Sequence, residues 1–371
     1  MGPTRALTAV AAAIVAVGLA ACGGDEDAAA EETTSQGAAT TEVASAADLG
    51  GVKDYLLDHT DRLTGFTSEF KADAQAYHDL AESSGFDYQE LWNNHAGRLA
   101  PLLEGMKSDW VEGNPCYERM EGVVAGTPSL AEYDVILDAG SSAAEDPESA
   151  VPFDLELSDG TTFKQPGNLY NLTEGALWGT LPQELPQSTP VDLDGSGSED
   201  FGEVLPDAAF LLAAAEEFDK YAGELATSAE AWEPSESDAF TALVVMVPTM
   251  SEYFGQWKES RFVLGDDSTA ESFNVVSRLS DINDILTGLE VIYAGVDERL
   301  AVVDPQQSQQ TGRELADLRS FVEDLYTREQ SGNRFAPEQA DLLGTEAQDR
   351  ATAIAGQVSQ AAAELGVTIE Q

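Results

Sequence analysis

Cationic side chains are scarce in this sequence: 18 Lys and Arg stand against 68 Asp and Glu, a formal net charge of −50 over 371 residues. A surface of that sign repels phosphate backbones and anionic headgroups, so nucleic-acid binding is excluded. Carboxylates in such excess suit a protein working in high salt, where screening removes self-repulsion, and point to a halophilic source. A surface that collects cations would have the same composition. Cysteine is nearly absent, with only Cys22 and Cys116. With Cys22 expected to be acylated, only one thiol remains, so no disulfide is expected within the chain and it must hold by packing. Cys116, in GNPCYERM, reads as a small half-buried residue. His59, His78 and His95 are the only histidines, set in separate stretches among ordinary helix formers, and they do not read as a ligand set. The sequence also lacks a His-x-x-x-His pair, a Ser-His-Asp or Cys-His arrangement, a phosphate-cradling glycine loop and a dinucleotide fingerprint.

What is present begins with MGPTRALTAVAAAIVAVGLAAC, in which Arg5 precedes an apolar run from Ala6 to Ala21. The run is too short and too alanine-rich to span a bilayer, and residues 1–21 read as a signal peptide. Leu19-Ala20-Ala21 ahead of Cys22 fits a bacterial lipobox, so Cys22 is the expected lipidation site and the chain an extracytoplasmic lipoprotein anchored to the cell membrane, at the surface or in the periplasm. An ordinary secretory cleavage site that happens to precede a cysteine is the alternative. Residues 22–51, rich in Gly, Ala, Thr and acids with few large apolar side chains, read as a flexible acidic tether.

From Val52 onward, apolar residues recur at three- and four-residue spacing. Examples are Tyr55, Leu63, Phe66 and Phe70; Leu91, Leu99, Leu102 and Met106; Leu315, Leu318, Val322 and Leu325; and Leu343, Ala347, Ala351, Ile354, Val358 and Leu365. That periodicity predicts helices. PFDLELSDGTTFKQ alternates around Asp159-Gly160 and predicts one β-hairpin between residues 152 and 165. The proline-rich LPQELPQSTPV, residues 181–191, cannot be helical. The expected fold is therefore all-α: two packed helical bundles with a short β-hairpin excursion. Residues 52–180 form an N-terminal helical half, 181–203 a linker and 204–371 a C-terminal bundle.

In GNLYNLTEGALWGT, Asn171 and Glu174 lie three residues apart, on one face of a predicted helix. The string resembles the signature of the imelysin family, which includes the helical domain of EfeO-type iron-uptake lipoproteins. That signature runs Gly, any residue, His, two residues, Glu, then an apolar stretch ending Leu-Trp-Gly. Here Glu174 holds the Glu position and Leu177-Trp178-Gly179 the ending, while Asn171 stands in the histidine position and Leu169 in that of the leading glycine. The leader and the closing helices are similar too. The resemblance implies a metal site, usually taken as iron, near Glu174 and Asn171; family members have also been described as peptidases. Asn for His exchanges an imidazole for a carbonyl oxygen, which suits harder cations and weakens the peptidase reading. Candidates to complete an oxygen-rich site are Glu118 with Glu121 on one helical face and Asp134 with Asp138 on another, chiefly Glu121 and Asp134. In a chain this acidic, such pairs also occur on solvated faces by chance.

DLDGSGSEDFGE, residues 192–203, fits the twelve-position calcium loop: Asp192, Asp194, Ser196, Ser198, Asp200 and Glu203 hold positions 1, 3, 5, 7, 9 and 12, with Gly197 at the sharp turn. Glu199, where an apolar residue is usual, argues against pairing with a second loop. An isolated structural Ca2+ site is expected, and an acidic Gly/Ser linker is the alternative. The resemblance implies a surface-anchored imelysin-like lipoprotein that binds a metal cation, iron, for uptake, with an iron permease as membrane partner. A non-catalytic scaffold or interaction lipoprotein keeping only a structural Ca2+ is the second reading, and a metallopeptidase the third.

Overall fold

A computed structural model describes residues 47–370; the leader, Cys22 and the tether as far as residue 46 lie outside the described residues. Asp48 and Leu49, read in the sequence as tether, pack on the helical domain: Leu49 is buried and the Asp48 N–H donates to the Gly295 carbonyl at 3.0 Å. α1 (Gly50–Ser83) and α2 (Tyr88–Val124) follow. On α1 the three- and four-residue stripe is carried inward by Val52, Leu56, Leu63, Phe70 and Tyr77. Gly85, at φ +61°, turns the chain, and Asp87 starts α2 by accepting the Glu90 N–H. α2 runs through Pro101 and Pro115; Pro115 has no N–H to give the Val111 carbonyl one turn back.

α3 (Ala131–Asp134) passes into a π-helical turn (Val135–Ala139). The predicted hairpin follows, β1 (Asp154–Glu156) against β2 (Thr162–Lys164), with Leu155 opposite Phe163. α4 (Leu169–Trp178) is capped by Asn168 and ended by Gly179 at φ +76°. A second small ladder, β3 (Thr189–Pro190) with β4 (Val204–Leu205), clamps the two ends of the calcium-loop-like segment. As the prolines predict, the chain is not helical between α4 and α5 (Ala208–Ala231). α6 (Glu236–Met246), α7 (Met250–Glu259), α8 (Arg261–Leu264), α9 (Arg278–Val303), α10 (Pro305–Gln330) and α11 (Pro337–Leu365) complete the fold. No described helix is long and apolar enough to cross a membrane.

The architecture is all-α, as predicted. α1, α2, α4 and α5 form one bundle; α6, α7, α9, α10 and α11 form the other, and α2 meets α9 between them. α5, which follows the linker, packs along α1, so the linker joins helices of one bundle, and one continuous apolar core runs through both. The α2–α9 approach is close: a Cβ on Gly288 would lie 2.3 Å from the Arg119 carbonyl oxygen. This contact matters because each helix brings charged residues to the same place.

Candidate metal centre

Three elements converge on a buried ionic cluster. α2 supplies Glu118 and Glu121, 1% and 2% exposed; α3 and the π-turn supply Asp134 and Asp138; the first turn of α9 supplies Arg278 and Asp281, each 2% exposed. A π-turn is costly and recurs where a side chain must be aimed; here it sets Asp138. Among the described residues, one oxygen from each of Glu118, Glu121 and Asp138 lies within 4.8 Å of the other two. Arg278 donates to Asp281 at 3.1 Å and to Gln256 at 2.8 Å, and pairs more loosely with Asp138 at 3.4 Å and Glu118 at 3.7 Å. Its guanidinium carbon lies 3.6 Å from the Phe273 ring centroid and 4.9 Å from that of Tyr253. Tyr253 donates its hydroxyl to Glu121 at 2.6 Å, Tyr117 to Asp134 at 2.7 Å, and Asn114 its amide to Asp281 at 3.1 Å.

One guanidinium cannot balance five carboxylates in a dry interior. Burial, then the charges of Asp281 and Asp138, pushes the Glu118 carboxyl well above the usual range; burial, then Asp138 and Asp134, does the same to Glu121. Asp134 is pushed up to about 7 by burial and Asp138, against the Tyr117 hydrogen bond, and Asp281 to about 7 by burial against Arg278. Glu118 Oε2 and Glu121 Oε2 are buried without a hydrogen-bond partner. Such a group could hold a hard cation on carboxylate oxygens only, and a cation binding there would displace protons.

Glu121, Asp134, Asp138, Asn171 and Arg278 line a cleft of about 840 Å³. Exposed Glu145, Glu184, Glu252, Glu259 and Glu271 also line it, and Arg278 is its only Lys or Arg among the described residues. The cleft is therefore acidic from mouth to floor.

Of the residues singled out in sequence, Glu118, Glu121, Asp134 and Asp138 meet here. Asn171 is on the cleft wall with its Oδ1 unpartnered. Glu174 is not one of the three grouped carboxylates but lines a small cavity beside them with Asn171, Asp138 and Asp281; its carboxylate accepts the backbone N–H groups of Phe273 at 2.9 Å and Asn274 at 2.8 Å, pinning the segment before α9. Burial pushes its carboxyl up to about 7 even so. Phe273 is held at φ +59°, unusual for a bulky residue. Arg278, Asp281, Tyr253 and Gln256 were not anticipated. A lone arginine at the start of an apolar helix, followed by Asp at i+3, was the available signal. The histidines take no part; His59 stacks edge-on to Tyr55 at 4.4 Å. Cys116 is half-buried, and burial pushes its thiol up.

The 192–203 loop brings oxygens of Asp192, Asp194 and Glu203 within 4.8 Å of one another. Glu203 accepts the N–H groups of Asp194 at 2.9 Å and Asp200 at 2.7 Å, and Asp192 accepts that of Gly197 at 3.1 Å. Gly197 adopts φ +94°, and Asp192 Oδ1 is buried without a partner. The loop rests on the end of the signature helix: a Cβ on Gly202 would lie 2.5 Å from Trp178, and Lys107 donates to the Gly202 carbonyl.

A search of curated proteins gave no match. The Imelysin family model matches residues 100–359, well over half the chain, a stretch that holds the acidic cluster, the signature helix and α9; the chain belongs to the imelysin family.

Proposed function

We propose that this protein binds a metal cation, iron as cargo, on the carboxylates of Glu118, Glu121 and Asp138, with Asp134 beside them, and serves its uptake. The observation that carries this reading is the pair of buried oxygens on Glu118 and Glu121 that have no hydrogen-bond partner and lie close to Asp138, with Glu121 and Asp138 lining an acidic cleft. Uncompensated buried carboxylates are costly, and a hard cation is the ligand that offsets that cost. A lipid anchor at Cys22 would hold the protein at the membrane, where an iron permease is the natural recipient. The peptidase reading lacks support: among the described residues neither metal-ligand group contains a histidine or cysteine.

The test is titration calorimetry and elemental analysis with Fe2+ under anaerobic conditions, ferric nitrilotriacetate and Ca2+. Iron should bind the wild type with a stoichiometry of about one outside the 192–203 loop, and Glu121→Gln or Asp138→Asn should weaken it at least tenfold, the scale of a lost ionic ligand. Asn171, which places no imidazole at the cleft, favours the second reading, a scaffold lipoprotein whose only ion is structural. That reading replaces the first if Ca2+ alone binds.

We also propose Ca2+ at the 192–203 loop, supported by the unpartnered Asp192 Oδ1 and the converging Asp194 and Glu203. Ca2+ should raise the melting temperature of the wild type but not of Glu203→Gln. Equal response of the two proteins would remove the claim.

A further inference from the structure

Within the cluster, Arg278 holds its partners unequally. Its firm contacts, 3.1 Å to Asp281 and 2.8 Å to Gln256, go to residues outside the three-carboxylate group; its loose ones, 3.4 Å to Asp138 and 3.7 Å to Glu118, go to two of that group's three members. The guanidinium is also fixed in place. Phe273 covers one side at 3.6 Å, and Phe273 is itself held by the Glu174 carboxylate through its backbone N–H. Arg278 follows the N-cap Ser277 as the first residue of α9, so its backbone is tied to the helix start.

From this geometry we infer that Arg278 sets the affinity and charge selectivity of the cation site, acting as a built-in competitor for Glu118 and Asp138 that remains anchored on Asp281 and Gln256 when a cation takes them. The inference rests on the cation-binding role proposed above. A fixed positive charge a few ångströms from a bound ion opposes every cation. A monovalent ion brings the carboxylates no more charge than the guanidinium it competes with and gains least by entering. A di- or trivalent ion outbids it, yet is held less tightly than by the same carboxylates alone. Cargo that must be handed onward requires such moderated affinity. Glu174 is then a positioning residue, acting through Phe273 on the guanidinium.

The experiment uses the full chain carrying Glu203→Gln, so that the 192–203 loop does not contribute, with Mn2+ as probe at pH 8, followed by calorimetry and by electron paramagnetic resonance of free Mn2+. Arg278→Met should bind Mn2+ at least tenfold more tightly than the parent, and 0.5 M NaCl should weaken its binding more than 0.5 M of a bulky tetraalkylammonium chloride; in the parent the two salts should act alike. Arg278→Lys, which keeps the charge but loses the planar fork, should fall between, and it decides the matter if the Met variant does not fold. Unchanged or weaker Mn2+ binding in the folded variants overturns the inference while leaving the cation site standing. Absence of Mn2+ binding in the parent and in the folded variants overturns the cation-binding reading itself.

Discussion

At the scale of single residues, Glu174 shows how a signature position can act at a distance. Its two oxygens accept backbone N–H groups from Phe273 and Asn274, a hundred residues away in sequence. Glutamine in its place keeps one acceptor and turns an NH2 group toward the other N–H. Glu174→Gln is therefore expected to lose about 1–3 kcal/mol of stability, the usual cost of a buried donor left without an acceptor. Hydrogen exchange should rise at Phe273 and Asn274 before it rises in α9, and unchanged protection there would argue against the clamp. Glu174 was visible in the sequence because the Leu-Trp-Gly ending frames it. Its partners are main-chain groups, which carry no side-chain identity, so no reading of residue types could have named them.

At the scale of elements, the site depends on the spacing of α2 and α9. Gly288 permits that spacing, since a methyl there would meet the Arg119 carbonyl at 2.3 Å. Gly288→Ala must push α2 and α9 apart, with an expected loss of about 1–3 kcal/mol and weaker cation binding, because Glu118 and Glu121 ride on one helix and Arg278 and Asp281 on the other. Gly223→Ala, on α5 with open space around it, is the control and should gain about 0.5–1 kcal/mol from helix propensity. Equal urea midpoints for the two variants would contradict this account. Helical spacing made the pairs Glu118/Glu121 and Asp134/Asp138 legible, and the alternation around Asp159-Gly160 gave the hairpin. Arg278 and Asp281 lie about 140 residues beyond Asp138, and their meeting depends on how α9 crosses α2. Periodicity gives each helix its buried face but does not say which helix that face will meet. The same limit applies to α5, because nothing local in residues 208–231 tells that they return to α1 across the linker.

At the scale of the whole molecule, acidity acts twice. Asp134, Glu174 and Asp281 have carboxyls raised to about 7 in the folded protein, and those of Glu118 and Glu121 are also raised well above the usual range, against about 4 in an unfolded chain. At these groups the folded state therefore binds more protons, so the stability they contribute is fully present below about pH 4 and is lost as pH rises through about 7. The net charge of −50 adds self-repulsion of the same sign. In chelator, the urea midpoint should thus be higher at pH 5 than at pH 8, by on the order of a few kcal/mol in stability. Added NaCl should recover part of the loss at pH 8 by screening the surface, and Mn2+ should recover more by engaging the ionised cluster. A midpoint that rises from pH 5 to pH 8 in chelator would refute the proposed ionisation of the core.

The packing of α5 along α1 has one more consequence. Between them in the chain lies the exposed Gly195-Ser196-Gly197-Ser198 stretch. A backbone cut there leaves two polypeptides whose largest shared surface is the one that already joins α1 to α5. The two pieces would remain associated after nicking, and, produced separately, they offer a split protein whose reassembly can be followed directly.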